Sequence, residues 1–99
     1  MPTMIHFELD ANSAIPKYMQ LAERILHAWL SGDIKTGERL PSLHELSAAM
    51  EVSKKTAEKA YKSLREVGLV SSYRGKGFFI VPGHKTLLLE RMREEAIEV

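Results

Sequence analysis

In the stretch LPSLHELSAAMEVSKKTAEKAYKSL, two helix starts stand only eleven residues apart. Ser42 and Glu45 form an S-x-x-E capping box, in which each side chain satisfies a backbone N–H left unpaired at a helix start. Ser53 is a second N-cap residue ahead of another helical run. The helix between the two caps, LHELSAAM, is therefore short, with Leu43, Leu46, Ala49 and Met50 on its apolar face. The helix after the second cap runs over residues 54–67. It turns Ala57, Ala60, Tyr61 and Leu64 inward and Lys54, Lys55, Glu58, Lys59 and Lys62 outward. Only the EVS turn separates them, so the pair reads as a helix-turn-helix.

The flanking segments complete a small domain. Upstream, Tyr18, Leu21, Ala22, Ile25, Leu26 and Trp29 recur at helical spacing. Pro16 sits where a first-turn proline is tolerated, and Gly32 follows the run. IHFEL, residues 5–9, alternates like a short strand or extended arm, DANSA is a loop, and Leu40 before Pro41 is driven towards extended geometry. Downstream, Gly68 ends the third helix, and LVSSY and FFIVP read as strands joined by an RGKG turn. The fold class is thus α+β, a winged helix-turn-helix of three helices plus a C-terminal β-hairpin wing, followed by a short C-terminal helix. Residues 1–82 form the domain and residues 83–99 a helical tail. In that tail Leu88, Leu89, Met92 and Ala96 supply apolar positions, and Leu89, Met92, Ala96 and Val99 fall at 3-4-3 intervals. A helix of that length is marginal alone in water and needs a surface to pack on, so the seam is read as a dimerisation segment.

Composition narrows the chemistry. With 99 residues the chain has room for one modest core. It has no cysteine, which removes disulfides and thiolate metal sites and fits a reducing compartment. No apolar run approaches a membrane span, and the N-terminus is not a signal peptide. Between residues 53 and 77 stand seven cations and two anions, a net of +5, in a chain whose total is +1. A segment so polarised is the footprint of a polyanion-binding face.

The residues at the third helix start fit that polyanion as DNA. Ser53, Lys54, Lys55 and Thr56 offer hydroxyls and ammonium groups to phosphates or base edges. The helix start adds N–H groups for a phosphate. In the wing, Arg74 and Lys76 are interleaved with Gly75 and Gly77, which let backbone approach the sugar–phosphate wall without a colliding Cβ. A lysine face is usually plain solvated surface and RGKG alone is usually an ordinary turn; both together, after a capped short helix, are specific. Glu58 runs against the pattern unless it pairs with Lys54 or Lys62. The competing readings are a winged-helix protein–protein module, which the lysines on the third helix disfavour, and a non-specific DNA binder. An enzyme has poor support. The histidines at 6, 27, 44 and 84 are scattered, with His27 at the edge of the first helix's apolar stripe. HELSA has Ala48 where a zinc protease needs its second histidine, and no G-x-x-x-x-G-K loop occurs. No residue pattern assigns a metal, cofactor or small-molecule effector.

Three pieces in register, SGDIKTGERLPS, VSKKTAEKAYKSLREVGLV and RGKGFF, resemble the winged-helix DNA-binding domain of the GntR family of bacterial transcription regulators. The resemblance covers residues 15–81. It implies a cytoplasmic, nucleoid-associated homodimer that binds double-stranded DNA at a two-fold operator as a repressor or activator. It carries DNA contact onto Arg39 and His44, onto Ser53 to Thr56 and Lys59, and onto Gly75 to Gly77; Ser42 at the helix start joins the candidate set. The family usually has arginine where this chain has His44 and Lys54, and lysine cannot fork bidentately onto a base as arginine does. The short tail resembles the YtrA-like branch, in which a small helical tail dimerises the protein.

Overall fold

The computed structural model describes residues 8–83. The expected strand at residues 5–9 falls mostly outside them, and Glu8 and Leu9 have no regular structure, although Leu9 packs on the core. The dimerisation residues Leu88, Leu89, Met92 and Ala96 lie outside the described residues altogether.

The first helix, α1, spans Lys17–Leu30. Pro16 is its N-cap, with φ −56° and ψ 146°, so it stands one position before the first helical turn rather than inside it. Gln20 fixes the preceding loop by donating to the carbonyls of Asp10 and Ile15 at 3.0 and 2.8 Å and accepting from the Asp10 N–H at 2.8 Å. Leu21, Ala22, Ile25 and Trp29 are buried as the spacing predicts, together with Ala28. Tyr18 and Leu26 flank that stripe.

Helix α2 is Leu43–Met50, and α3 is Lys54–Glu66. The capping box forms in full: Glu45 N–H donates to Ser42 Oγ at 3.1 Å and Ser42 N–H to Glu45 Oε1 at 3.0 Å. The turn between the helices depends on Glu51, which adopts φ 53° as the left-handed C-cap of α2. That conformation normally belongs to glycine or asparagine, so the sequence gives no warning of it. The inner residues of α3, Ala57, Ala60, Tyr61 and Leu64, are all buried against α1 and α2.

The wing is an antiparallel hairpin of β1, Val70–Tyr73, and β2, Gly77–Ile80, with Val70 opposite Ile80 and Tyr73 opposite Gly77. Three residues, not four, form the turn. Lys76 N–H donates to Tyr73 C=O at 2.9 Å, and Gly75 has φ 77° at the third position of that turn, where a type II turn demands a positive φ. Residues 37–40, of which only Leu40 is read from sequence as extended, pair with the free edge of β2. Gly37 donates to Ile80 C=O, Leu40 to Phe78 C=O, and Ile80 to Glu38 C=O, at 2.7, 2.8 and 2.9 Å, with Arg39 opposite Phe79. β2 is therefore the middle of three extended segments.

Tyr61 joins these parts. Its hydroxyl donates to the Pro41 carbonyl at 2.6 Å inside the core, and its ring lies 4.6 Å from that of Phe78 in the wing. Tyr61→Phe leaves a buried carbonyl without its donor and is expected to cost about 1–2 kcal/mol of unfolding free energy in urea denaturation. Burial first, and the charge of Glu45 second, push the Tyr61 phenol well above the ordinary tyrosine range. The folded state thus keeps this proton where the unfolded chain loses it. The contribution is complete below about pH 10, the unfolded value, and is lost as pH rises beyond it. Wild type should lose stability in that alkaline range more steeply than Tyr61→Phe.

Candidate nucleic-acid interface

The start of α3 is built by its own cap. Thr56 N–H donates to Ser53 Oγ at 3.0 Å, and the two hydroxyl oxygens share a further hydrogen bond of 2.8 Å. Both hydroxyls are thus engaged in holding the first turn. The N–H groups of Lys54 and Lys55 have no intrahelical acceptor at this position. Their side chains are exposed, as Ser53 is, while Thr56 is half-buried. A helix start with open N–H groups between two exposed ammonium groups is suited to an anion.

Lys59 is exposed on the same helix, but its Nζ lies 5.3 Å from the centroid of the Tyr18 ring on α1. That cation–π contact orients it towards α1. Tyr18 was legible only as a member of the apolar stripe; nothing in the spacing pairs it with a lysine forty-one positions on. Lys62 and Arg65, counted in the basic run but not among the candidates, line a groove of about 750 Å³ between α3 and the wing with Glu58 and Glu66. Glu58 therefore sits among cations, as its place in the lysine face requires.

At the start of α2, Ser42 is the half-buried cap and His44 is exposed. The Ser42 N–H and hydroxyl hold the Glu45 carboxyl below its usual range, with the positive charges of Arg39 and His44 adding smaller effects. Arg39 stands in the extended segment beside the wing. It lines one surface groove with Arg74, Lys76 and the glycines Gly75 and Gly77. The structure thus brings Arg39 to one place with Arg74 and Lys76, which are distant from it in sequence. The candidates on α2 and α3 remain at two separate helix starts.

Among the described residues no group of histidine and carboxylate side chains could hold a metal, and no helix is long and apolar enough to cross a membrane.

The family of bacterial regulatory proteins named gntR matches residues 9–80. The chain is 35% identical over 83 residues to the transcriptional repressor YtrA of Bacillus subtilis, covering 84% of this chain and 64% of that one, so it spans less than two thirds of that relative. Its fold is similar to that of YtrA from Sulfolobus acidocaldarius, a GntR-family transcription factor, with a TM-score of 0.73 and 26% identity over 93% of this chain and 97% of the other. It is also similar to the DNA-binding domain of AraR solved in complex with operator ORX1, with a TM-score of 0.68 and 30% identity over 79% of this chain and all of the other.

Ser42→Ala should remove the cap and cost about 1 kcal/mol. Because the folded Glu45 carboxyl titrates low, its contribution is present above the unfolded value of about 4.3 and is lost as pH falls through the folded one. Denaturation midpoints measured through that acid range should fall less steeply for Ser42→Ala than for wild type.

Proposed function

The chain belongs to the gntR family of bacterial regulatory proteins, whose members are transcription regulators and not enzymes, and on that premise we propose that it is a sequence-specific repressor acting as a homodimer at a two-fold operator. The observation that carries this reading is the pairing of an exposed, lysine-flanked start of α3 with a cationic wing on one domain. The start of α3 enters the major groove and contacts base edges and phosphates through Ser53, Lys54, Lys55 and Thr56. The wing tip takes the flanking backbone or minor groove through Arg74 and Lys76. Lysine at position 54 and histidine at position 44 place more of the binding on phosphates than a bidentate arginine would. Similarity to an operator-bound DNA-binding domain supports double-stranded DNA as the partner at the bacterial nucleoid.

Two copies joined through residues 83–99 would set their recognition helices about 34–36 Å apart, one turn of DNA, or a multiple of that. The support for this is the 3-4-3 apolar seam of Leu89, Met92, Ala96 and Val99, with Leu88 beside it.

The direct test is selection of bound duplexes from a random library at two salt concentrations. Enrichment of a two-fold site is expected. Salt-sensitive binding without enrichment would instead make the chain a general DNA binder, and no binding at low salt would remove DNA as the partner. Lys54→Ala and Lys76→Ala should each weaken binding to all duplexes and lessen the salt slope by about one unit. An unchanged slope would withdraw that contact. Replacing Leu89 and Met92 together by aspartate should give monomers in sedimentation, and dimers that persist would place the interface elsewhere.

A further inference from the structure

Arg39 is held by β2, not by a helix. Its neighbours Glu38 and Leu40 are bonded to Ile80 and Phe78, which puts the Arg39 side chain on the same face of the sheet as Phe79, directly opposite, and Gly77, on the diagonal. The opposite face carries Phe78, packed on Tyr61, and the buried Ile80. Arg39 runs along that diagonal towards the wing tip. A methyl group on Gly77 would lie 3.3 Å from Arg39 Nε, 3.6 Å from Nη2 and 3.8 Å from Cζ. The nearest of these is inside the optimal contact distance of about 3.5–4.0 Å for non-bonded heavy atoms. At Gly75, two residues away, the same methyl group would meet nothing within 4 Å. Both glycines have positive φ, 77° and 105°. Of the two, only at Gly77 would a methyl group also press on a neighbouring side chain.

We propose that Gly77 is a positioning residue: the space left by its missing side chain seats the Arg39 guanidinium against the wing, so that Arg39, Arg74 and Lys76 meet the DNA phosphodiester backbone as one cationic unit. This rests on the reading of the wing as a DNA-contacting element and adds to it a role for Gly77 that is not itself contact. Arg39 is otherwise far from the tip in sequence. The strand pairing brings its backbone alongside, and the bare Gly77 lets its charge continue to the tip. A methyl group at position 77 obliges the guanidinium to give way by a few tenths of an ångström while leaving all three charges on the protein, so net charge is unchanged and only the arrangement is altered.

The experiment is a double-mutant cycle on the full chain, titrated with one fixed mixed-sequence duplex over a range of salt. Arg39→Ala should lower the salt slope by about 0.9, the value for one phosphate contact on B-DNA. Gly77→Ala should lower it by part of that amount although no charge is removed, and adding Gly77→Ala to Arg39→Ala should change neither affinity nor slope further. Gly75→Ala, which bears the positive-φ strain without the collision, should leave the Arg39 contribution to the slope in place. Losses that multiply in the double variant would overturn the proposal, because Gly77 would then act through wing strain alone. An Arg39→Ala slope equal to wild type would overturn it too, since there would be no contact to position. The unmutated chain separates the two levels: if it does not bind the duplex at low salt, the DNA reading has failed, whereas if it binds and Gly77→Ala leaves the Arg39 contribution intact, only the Gly77 role has. A measurement on the unmutated protein stands beside these in case Gly77→Ala does not fold. A nuclear Overhauser contact is expected between the Arg39 Nε proton and the Gly77 α-protons, and its absence would sink the seat directly.

Discussion

The hydrogen bond from Tyr61 to the Pro41 carbonyl and the contact of the same ring with Phe78 bind three otherwise separate parts to one side chain. Pro41 closes the extended segment and leads directly into the Ser42 cap, so the bond sets where α2 begins relative to α3. Phe78 lies on the inward face of the wing with the buried Ile80, so the ring contact sets how the hairpin leans on α3. A phenylalanine at position 61 would keep the second relation and lose the first. A buried carbonyl with no donor is costly. Helix α3, the start of α2 and the wing are in this sense indexed from one phenol.

Polar groups at the two helix starts follow a similar economy. Ser42 and Ser53 act as caps, their oxygens accepting from the N–H groups of Glu45 and Thr56, and the Thr56 hydroxyl bonds that of Ser53. The hydroxyls hold the frame, and the lysines and N–H groups beside them face outward. Glu45 completes its box and is held ionised by doing so, and its charge lies near Arg39 and His44, which offsets some of the positive field at the α2 start.

Much of this was legible in local sequence. The caps at Ser42 and Ser53 and the inward quartet of α3 are local patterns, and each appears where the pattern puts it; the glycine-rich turn appears one residue shorter, with Gly77 already in β2. What escaped depends on contacts distant in sequence or on strain. Residues 37–40 carry no strong strand pattern, because their extended form comes from pairing with β2 some forty residues later. The seat of Arg39 over Gly77 and the stacking of Lys59 on Tyr18 belong to the same class. Glu51 at φ 53° is a residue in a conformation its type does not advertise, imposed by the need for a tight corner between α2 and α3.

The central position of β2 governs how the wing can come apart. At its base, Ile80 is bonded towards residues 37–38 on one side and paired with Val70 on the other, and Val81 and Gly83 continue the ladder to Leu69 and Gly68. Opening the hairpin there would break two ladders together and expose Ile80 and Leu40, both fully buried. At the tip, residues 74–76 are exposed and the turn bond from Lys76 closes the loop. Fraying therefore starts at residues 73–77 and stops at the double ladder. Amide protons of the tip exchange by small local openings, while those of Leu40 and Ile80 wait for cooperative unfolding of the whole domain.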